Sequence, residues 1–205
     1  MPPFSRLILA SGNEGKLREF RRLLAPLAIE VVPQAAMGIA EADEPHATFV
    51  ENAVAKARHA SRIGGMPALA DDSGVCVAAL RGAPGVHSAR YAGEPRSDQR
   101  NNEKLIADLA GMADRRAHYY CVLVLVRHAD DPQPIIAEGV WNGAIVDAPR
   151  GSGGFGYDPH FRDDTTGLTG AELPLETKNA LSHRGKALRV LIGKLEAMQR
   201  EKGAR

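Results

Sequence analysis

Apolar and polar positions follow two repeating patterns along this chain, one typical of strands and one typical of amphipathic helices. Apolar runs predict strands at residues 7–10, 29–32, 117–127, 135–141 and 144–146. Apolar positions at helical spacing predict helices at residues 17–27, 48–63, 97–110, 172–181 and 186–198. The run at 117–127 is β-branched and aromatic, which favours a central strand. Alternating strands and helices predict an α/β fold with a mixed sheet and flanking helices.

Two adjacent aspartates interrupt the apolar pattern at residues 70–74, where the sequence reads Ala-Asp-Asp-Ser-Gly. Asp, Ser and Gly are turn formers, so this stretch predicts a strand, a tight turn and a second strand. Neighbouring side chains on a strand point to opposite faces, so Asp71 and Asp72 are expected to have different roles unless the turn breaks the alternation. Alone, the pair is typical of a solvated turn. Next to phosphate-binding groups, it indicates a divalent metal ion.

The first predicted strand leads through a polar, glycine-containing turn into a helix. This order points backbone N–H groups at an anion. Ser11 and Asn13 add a hydroxyl and an amide, and Lys16 adds positive charge. Ser11 and Glu14 also fit the S-x-x-E spacing of a capping box, which would use the same N–H groups. Both interpretations stay open for this segment alone.

The helix predicted at 48–63 carries Asn52 and Lys56 one turn apart on the same face. A solvated stripe is the ordinary interpretation of such a pair. The functional interpretation is a helix that lines a cleft, with Lys56 reaching a phosphate. The loop before this helix carries three acidic residues, Glu41, Asp43 and Glu44.

A glycine-rich loop at residues 150–159 has four glycines in six residues, which would allow close backbone approach to a ligand. Phe155 and Tyr157 could stack on a base there, and Asp158 could hold a ring N–H. The alternative is a flexible hairpin loop with one anchoring aromatic. Further along, Ser182 occupies a helix N-cap position, which places His183 and Arg184 in the first helical turn. Cations there oppose the helix dipole, so their position favours ligand contact.

Composition narrows the class of protein. The 205 residues carry a formal net charge of +1, which gives no electrostatic footprint for duplex nucleic acid. Cys76 and Cys121 lie in apolar, strand-like runs, so they are predicted to be reduced core residues and not a disulfide. No zinc-binding spacing is present. No apolar run approaches the ~20 residues needed to span a bilayer, and the N-terminal run is too short for a signal peptide. We therefore expect one cytoplasmic domain over residues 1–205, with no nucleic-acid or membrane partner.

Six motifs, in order and over nearly the whole chain, resemble those of the inosine/xanthosine triphosphate pyrophosphatases. They are Ser11-x-Asn13-x-x-Lys16-x-x-Glu19, Phe49-x-Glu51-Asn52-Ala53-x-x-Lys56-Ala57, Ala70-Asp71-Asp72-Ser73-Gly74, Gly82-x-Pro84-Gly85-x-x-Ser88-Ala89-Arg90-Tyr91, Gly153-Gly154-Phe155-Gly156-Tyr157-Asp158-Pro159 and Ala180-Leu181-Ser182-His183-Arg184-Gly185. Each motif is weak or moderate by itself, whereas six in register are specific.

The resemblance implies a long mixed sheet with two lobes around a central substrate cleft, in a homodimer. It implies Mg²⁺-dependent hydrolysis of deaminated purine nucleoside triphosphates (ITP, dITP and XTP) between the α- and β-phosphates. The products would be the nucleoside monophosphate and pyrophosphate.

The resemblance also implies roles for individual residues. Phosphate binding is implied for Ser11, Asn13, Lys16, Lys56 and Ser73. Metal binding is implied for Glu44 and Asp72, and Asp72 is the expected general base. Base binding is implied for Phe155, Gly156, Tyr157, Asp158, Lys178, His183 and Arg184. The choice of Glu44 over Asp43 depends on counting back from Thr48 and Phe49, in a loop where Pro45 departs from the family pattern.

Two alternatives to this function remain. A nucleotide-sensing protein on the same scaffold would bind ITP or XTP and release no pyrophosphate, but the presence of both Glu44 and Asp72 favours an enzyme. A related pyrophosphatase could act on pyrimidine or other modified nucleotides, but Phe155, His183 and Arg184 favour a 6-oxopurine.

Overall fold

The structure is a computed structural model that describes residues 4–203, apart from the side chains at positions 14, 19, 23, 199 and 201–203. The strands in this range are β1 (Arg6–Leu9), β2 (Glu30–Pro33), β3 (Ala68–Val77), β4 (Arg116–Val126), β5 (Ile135–Ile145) and β6 (Phe161–Asp163). The α-helices are α1 (Glu14–Leu24), α2 (Phe49–Gly64), α3 (Asp98–Asp108), α4 (Leu175–Leu181) and α5 (His183–Gly203). Short 3₁₀ turns occur at Ala25–Leu27, Gln34–Met37, Ala78–Leu80 and Gly85–Arg90.

The six strands form one sheet in the order β2-β1-β3-β4-β5-β6. β1 pairs in parallel with β2 on one side and with β3 on the other, whereas β5 and β6 are antiparallel. The prediction of an α/β fold with a mixed sheet and flanking helices is therefore confirmed. The strand predicted at 117–127 is central, because β4 lies between β3 and β5.

The turn predicted at Asp71 and Asp72 is wrong, because β3 runs without interruption from Ala68 to Val77. Gly74 does not have the positive φ that a tight turn would use. Ion pairs with Lys16 and Lys56 neutralise the two aspartates on this continuous strand, and such contacts between positions distant in sequence can outweigh the local turn preference of Asp, Ser and Gly.

The separate strand predicted at 144–146 is also wrong, because β5 continues from Ile135 through Ile145. Asn142-Gly143 has the composition of a turn, but Gly143 serves a packing purpose here. A Cβ atom at Gly143 would lie 2.2 Å from the carbonyl oxygen of Arg162 and 2.7 Å from the ring of Phe161, both on the paired strand β6. Glycine therefore permits the close approach of β6.

The chain divides into two compact units. The first is drawn from Met1–Asp72, Val122–Glu138 and Ala187–Arg205, as far as these ranges are described. Within it, α1 contacts β2 and α2 contacts β1. Its buried side chains include Leu7, Ile8, Leu9, Leu17, Phe20, Leu24 and Leu69.

The second unit consists of Ser73–Cys121 and Gly139–Lys186. It has an apolar core that is rich in aromatic residues. The core includes Val75, Val77, Leu105, Leu109, Tyr119, Trp141, Tyr157 and Phe161. The prediction of one domain, and that of a cleft between two lobes, stay predictions.

Two further predictions concern the cysteines and membrane spans. Neither Cys76 nor Cys121 forms a disulfide, and Cys121 is buried as predicted, whereas Cys76 is only partly buried. Of the helices within residues 4–203, none has an apolar stretch long enough to cross a bilayer.

Candidate active site

The turn between β1 and α1 is organised by its own polar side chains. Asn13 is the N-cap of α1, and its Oδ1 accepts a hydrogen bond from the backbone N–H of Lys16 at 3.1 Å. Ser11 Oγ accepts one from the backbone N–H of Asn13 at 3.2 Å. The cap is thus Asn13 and not Ser11, so the capping box expected from Ser11 and Glu14 is not the arrangement at this helix start.

A carboxylate that the sequence analysis did not select lies close to this turn. A Cβ atom built on Gly12 would lie 2.4 Å from Glu41 Oε1, which places the end of the exposed Glu41 side chain against the turn. The acidic loop therefore approaches the start of α1. The signal in the sequence was only the acidic character of the loop, which does not say where each carboxylate points.

Asp71 and Asp72 contact different lysines, as the alternation along a strand predicts. Lys16 Nζ lies 2.9 Å from Asp71 Oδ1 and 2.7 Å from Asp71 Oδ2, and this aspartate is buried. Lys56 Nζ lies 3.3 Å from Asp72 Oδ1. Because β1 ends at Leu9, Asp71 and Asp72 lie beyond the last residue pair of β1 and β3, so that α1 can supply Lys16.

The acidic loop before helix α2 contacts Lys56, the lysine that also pairs with Asp72. Thr48 is the N-cap of α2. Asn52 is only 1% exposed, and its amide bonds the backbone N–H and C=O of His46 at 3.0 and 3.3 Å. This contact fixes the end of the loop, and Glu44 Oε1 lies 2.7 Å from Lys56 Nζ. Asn52 therefore holds the loop and does not belong to a solvated stripe.

The charges in this cluster alter the pKa values of its members. Burial lowers the pKa of Lys56, but attraction by Asp72, Asp71 and Glu44 outweighs burial, so the pKa is raised. Burial raises the pKa of the Asp72 carboxyl, and repulsion by Glu44 and Asp71 adds to this. Lys56 acts in the opposite direction without cancelling the rise. Asp72 is therefore more basic than an ordinary aspartate.

The second group of predicted residues surrounds the glycine-rich loop. Asp158 is buried, and its Oδ2 accepts from the backbone N–H of Phe155 at 2.8 Å and from Lys178 Nζ at 2.5 Å. Lys178 Nζ also lies 5.3 Å from the centroid of the Phe155 ring, at cation–π distance. The ring itself is 60% exposed. The Phe155 ring is therefore exposed, whereas the backbone that bears it is fixed by the buried ion pair of Asp158 and Lys178.

The glycine-rich loop was predicted to bring its backbone close to a ligand. In the structure, the backbone at Gly154 lies close to protein side chains, those of Asp158 and Lys178. A Cβ atom on Gly154 would lie 2.2 Å from Asp158 Oδ2 and 2.7 Å from Lys178 Nζ, and Gly154 has a φ of +75°. Glycine is therefore required at this position by the ion pair beside it.

The two aromatic residues of the loop have different environments. Tyr157 lies in the core of the second unit, and its hydroxyl donates to the carbonyl of Ser88 at 2.8 Å. Burial also raises the pKa of Tyr157. These contacts favour a structural role for Tyr157, and Phe155 is the one with an exposed ring.

Ser182 joins α4 to α5. Its Oγ accepts from the backbone N–H of Gly185 at 3.1 Å, so Ser182 caps the start of α5 as predicted. His183 and Arg184 lie in the first turn and are buried. Arg184 Nη2 donates to Ser73 Oγ at 3.2 Å, which brings two predicted site residues together.

The imidazole of His183 rests on an aromatic stack that the sequence analysis missed. The rings of His183 and Tyr119 are 4.7 Å apart between centroids and within 8° of parallel. Tyr119 in turn stacks on Trp141 at 5.8 Å. No local signal could reveal this contact, since Tyr119 lies on β4 and His183 lies on α5.

The model of the Ham1 family matches residues 7–194. The chain belongs to the Ham1 family. Curated relatives are similar over almost their whole length. One, named dITP/XTP pyrophosphatase, from Ralstonia nicotianae, is 64% identical over 95% of this chain and 98% of its own. Another of the same name, from Nitrosomonas europaea, is 65% identical over 92% of this chain and 93% of its own.

Solved structures agree with this family. A HAM1 protein from Coxiella burnetii matches with a TM-score of 0.92 and 46% identity, over 95% of this chain and 100% of its own. A nucleoside-triphosphatase, dITP/XTP pyrophosphatase from Mycobacterium abscessus, matches with a TM-score of 0.76 and 37% identity, over 91% of this chain and 97% of its own. The resemblance to the inosine/xanthosine triphosphate pyrophosphatases is thereby confirmed.

In this Ham1 chain, the described residues contain no group of three or more His, Cys, Asp or Glu side chains arranged to hold a metal ion. Two carboxylates do converge, since Glu44 and Asp72 contact the same ammonium group. Of the two acidic residues left open by the sequence, Glu44 is thus the one that shares a partner with Asp72.

Proposed function

We propose that this chain hydrolyses deaminated purine nucleoside triphosphates (ITP, dITP and XTP) to the nucleoside monophosphate and pyrophosphate. The names of its relatives support this reaction. The observation that carries the proposal is the cluster on β3, where Asp72 and Glu44 converge on Lys56 beside the pair of Lys16 and Asp71. Such a cluster supplies cations for phosphates and carboxylates for a metal ion and a proton.

The phosphate tail is assigned to the start of α1 and to the lysines. A helix N-terminus favours an anion, and the hydroxyl of Ser11 and the side-chain N–H groups of Asn13 can donate to phosphate oxygens. Lys16 and Lys56 provide two positive charges, which would offset part of the negative charge of a triphosphate, about four units. Ser73 follows Asp72 directly on β3 and adds a hydroxyl. Binding of the tail would have to compete with the carboxylates that now pair with both lysines.

Glu44 and Asp72 are the residues that would hold Mg²⁺. They offer hard oxygen donors, and their convergence on one ammonium indicates that a cation is stable between them. Mg²⁺ requires only one or two carboxylates when substrate oxygens and water complete its coordination, so this donor set fits. When bound, the ion would neutralise charge on the phosphates and on the departing pyrophosphate.

Asp72 is assigned as the general base. The oxygen of a water molecule attacks the α-phosphorus, the bond to the bridging oxygen of the β-phosphate breaks, and pyrophosphate leaves. The proton of the water passes to the carboxylate of Asp72. Asp72 is buried and lies beside Glu44 and Lys56, where its carboxylate can orient the water and take its proton. Charge neutralisation and positioning supply the rest, as phosphoryl transfer generally requires.

Base recognition is assigned to the second group. The exposed ring of Phe155 would stack on the purine, with Gly156 and Tyr157 shaping the loop around it. Asp158 and Lys178 hold Phe155 in place and would border the base. Arg184 only donates hydrogen bonds, so it would pair with O6 of hypoxanthine or xanthine and reject the amine of adenine. His183 lies beside it, supported by Tyr119.

The decisive experiment measures pyrophosphate release from ITP, dITP, XTP, GTP and ATP, with Mg²⁺ and with a chelator. We expect metal-dependent release from the first three nucleotides and little from the others. Asp72→Asn should abolish turnover and still bind ITP. Asp114→Asn, at a half-buried aspartate that pairs with the exposed Arg116, is the matched control and should retain full activity. Tight binding of ITP without release by the wild type would favour a sensing protein.

A homodimer, the absence of nucleic-acid and membrane partners, and a cytoplasmic location stay predictions from the sequence. Sedimentation of the purified chain would test the first of these.

A further inference from the structure

Helix α3 makes two hydrogen bonds to the backbone of one residue of the glycine-rich loop, Gly156. Asp98 Oδ2 accepts from the backbone N–H of Gly156 at 2.7 Å. Asn102 Nδ2 donates to the backbone carbonyl of Gly156 at 2.9 Å. Asp98 and Asn102 are four residues apart, so they face the same side of α3. Both hydrogen-bonding groups of Gly156 are therefore held by one helix face.

With these bonds, the backbone is held on both sides of Phe155. On its N-terminal side, the N–H of Phe155 itself is held by Asp158. On its C-terminal side, the N–H of Gly156 is held by Asp98. The loop needs such anchors, because Gly154 and Gly156 both have positive φ and the Phe155 ring is 60% exposed. Packing alone does not restrain a ring with that exposure.

We infer that Asp98 and Asn102 are positioning residues that hold Phe155 ready to stack on the purine base. The inference rests on the proposed function for its substrate, and on the two hydrogen bonds for its geometry. An ordered ring has less conformational freedom to lose on binding, so its affinity for a flat base is higher. Neither residue is expected to touch the reacting phosphates.

Contacts within α3 show that Asp98 and Asn102 are not needed merely to stabilise the helix. Ser97 is the N-cap of α3 and already bonds the N–H of Arg100, so Asp98 is not needed as a cap. The negative charge of Asp98 does stabilise α3, because it interacts favourably with the positive end of the helix dipole. Asn102 Oδ1 is buried without a hydrogen-bond partner among the described residues, so its bond to Gly156 is the evident use of the amide.

The test compares four variants of the full chain. Asp98→Ala and Asn102→Ala each remove one bond to Gly156. Asp98→Asn keeps an oxygen acceptor and removes the charge, so it separates the bond from the dipole effect. Glu103→Ala is the control on the same helix, because Glu103 contacts the exposed Gln99 side chain. Steady-state kinetics with ITP and inhibition by inorganic pyrophosphate are measured for each.

We expect the KM for ITP to rise about 3- to 10-fold in Asp98→Ala and in Asn102→Ala, the loss typical of one hydrogen bond. The kcat and the inhibition constant of pyrophosphate should stay within about twofold of the wild type, since pyrophosphate lacks a base. Asp98→Asn and Glu103→Ala should match the wild-type KM. An unchanged KM in both alanine variants would overturn the inference, as would a parallel loss of pyrophosphate binding.

A second measurement does not depend on the proposed reaction. The N–H of Gly156 is bonded in the wild type, so amide hydrogen exchange at residues 154–157 should be slow, and Asp98→Ala should accelerate it while α3 stays protected. Equal exchange in the two proteins would refute the anchoring itself. If exchange accelerates but the wild type hydrolyses no nucleotide, the anchoring stands and the proposed function fails.

Discussion

Replacing Lys56 with methionine tests the electrostatic core of the site. The substitution keeps the length and much of the volume of the side chain and removes the ammonium group. In the wild type, this group lies 2.7 Å from Glu44 and 3.3 Å from Asp72. At an effective dielectric constant of about 20, these contacts correspond to about 6 and 5 kcal/mol of Coulomb attraction before desolvation is subtracted. Lys56, Glu44 and Asp72 are mostly shielded from solvent, with side-chain exposures of 13%, 27% and 11%.

Most of that attraction is offset by the desolvation of the charges, so the net loss is smaller. Removing one partner of a buried pair typically costs about 3–5 kcal/mol. The partial exposure of Glu44 and the ability of Asp72 to take up a proton reduce this to about 2–4 kcal/mol at pH 8. For a chain of this length, the midpoint of thermal unfolding should fall by about 5–10 °C.

The loss should depend on pH in one direction. The pKa of Asp72 is already raised in the folded wild type, and removing Lys56 takes away the attraction that opposes the rise. A carboxyl with a raised folded pKa favours the folded state at pH values below its unfolded pKa. That contribution is lost as the pH rises through the folded pKa. The variant should therefore be closest to the wild type in acid and furthest from it at pH 8.

Thermal unfolding at pH 5 and pH 8, with and without Mg²⁺, measures both effects. Lys104→Met is the matched control, because Lys104 forms an exposed pair with Asp108 one turn away that is worth about 0.5 kcal/mol or less. Mg²⁺ should raise the unfolding midpoint of Lys56→Met more than that of the wild type, since a bound cation can replace the ammonium. The reasoning is refuted if Lys56→Met costs no more than Lys104→Met at pH 8.

The remaining predictions concern the Asp72 carboxyl and the two loop aromatics. Because burial raises the pKa of Asp72 in the metal-free chain, Asp72→Asn should unfold at a higher temperature than the wild type at pH 8 in the presence of a chelator. Melting curves check this, and a lower midpoint for the variant would contradict it. Phe155→Ala should raise the KM for ITP at least 10-fold without loss of stability, since its ring is exposed. Tyr157→Phe should lower the free energy of unfolding by about 1 kcal/mol, because the hydrogen bond to Ser88 is lost, and should leave KM unchanged. If Tyr157→Phe raised KM while Phe155→Ala affected only stability, Tyr157 and not Phe155 would be the base-stacking residue.

Much of the fold could be predicted from the sequence because its signals are local. Periodicity located the long strand at Arg116–Val126 and the helix at Phe49–Gly64, with each end displaced by one residue. Ser182 was identified as a cap because capping depends on residues three positions away. Six short motifs in register were enough to identify the family, since each contains residues of fixed type and spacing.

The errors have a common physical cause, which is that contacts distant in sequence override local preference. Asp71 and Asp72 have the composition of a turn, but Lys16 and Lys56 neutralise them on a continuous strand. The contact of Tyr119 with His183 could not be predicted either, because it joins positions that only the fold brings together. Polar residues on strands are the places where composition alone is least informative.

The aromatic stack under His183 gives the wild-type chain an optical reporter beside that histidine. Trp141 is the single tryptophan in the sequence, and its ring centre lies 6.4 Å from that of His183 at an angle of 11°. Its indole N–H is bonded to Asp163 at 2.7 Å, so the ring has a fixed orientation. All tryptophan emission therefore originates beside the histidine. A change at His183 should alter the intensity or wavelength of that emission, so binding of a nucleotide at His183, as proposed, is expected to be visible in a titration of unlabelled protein.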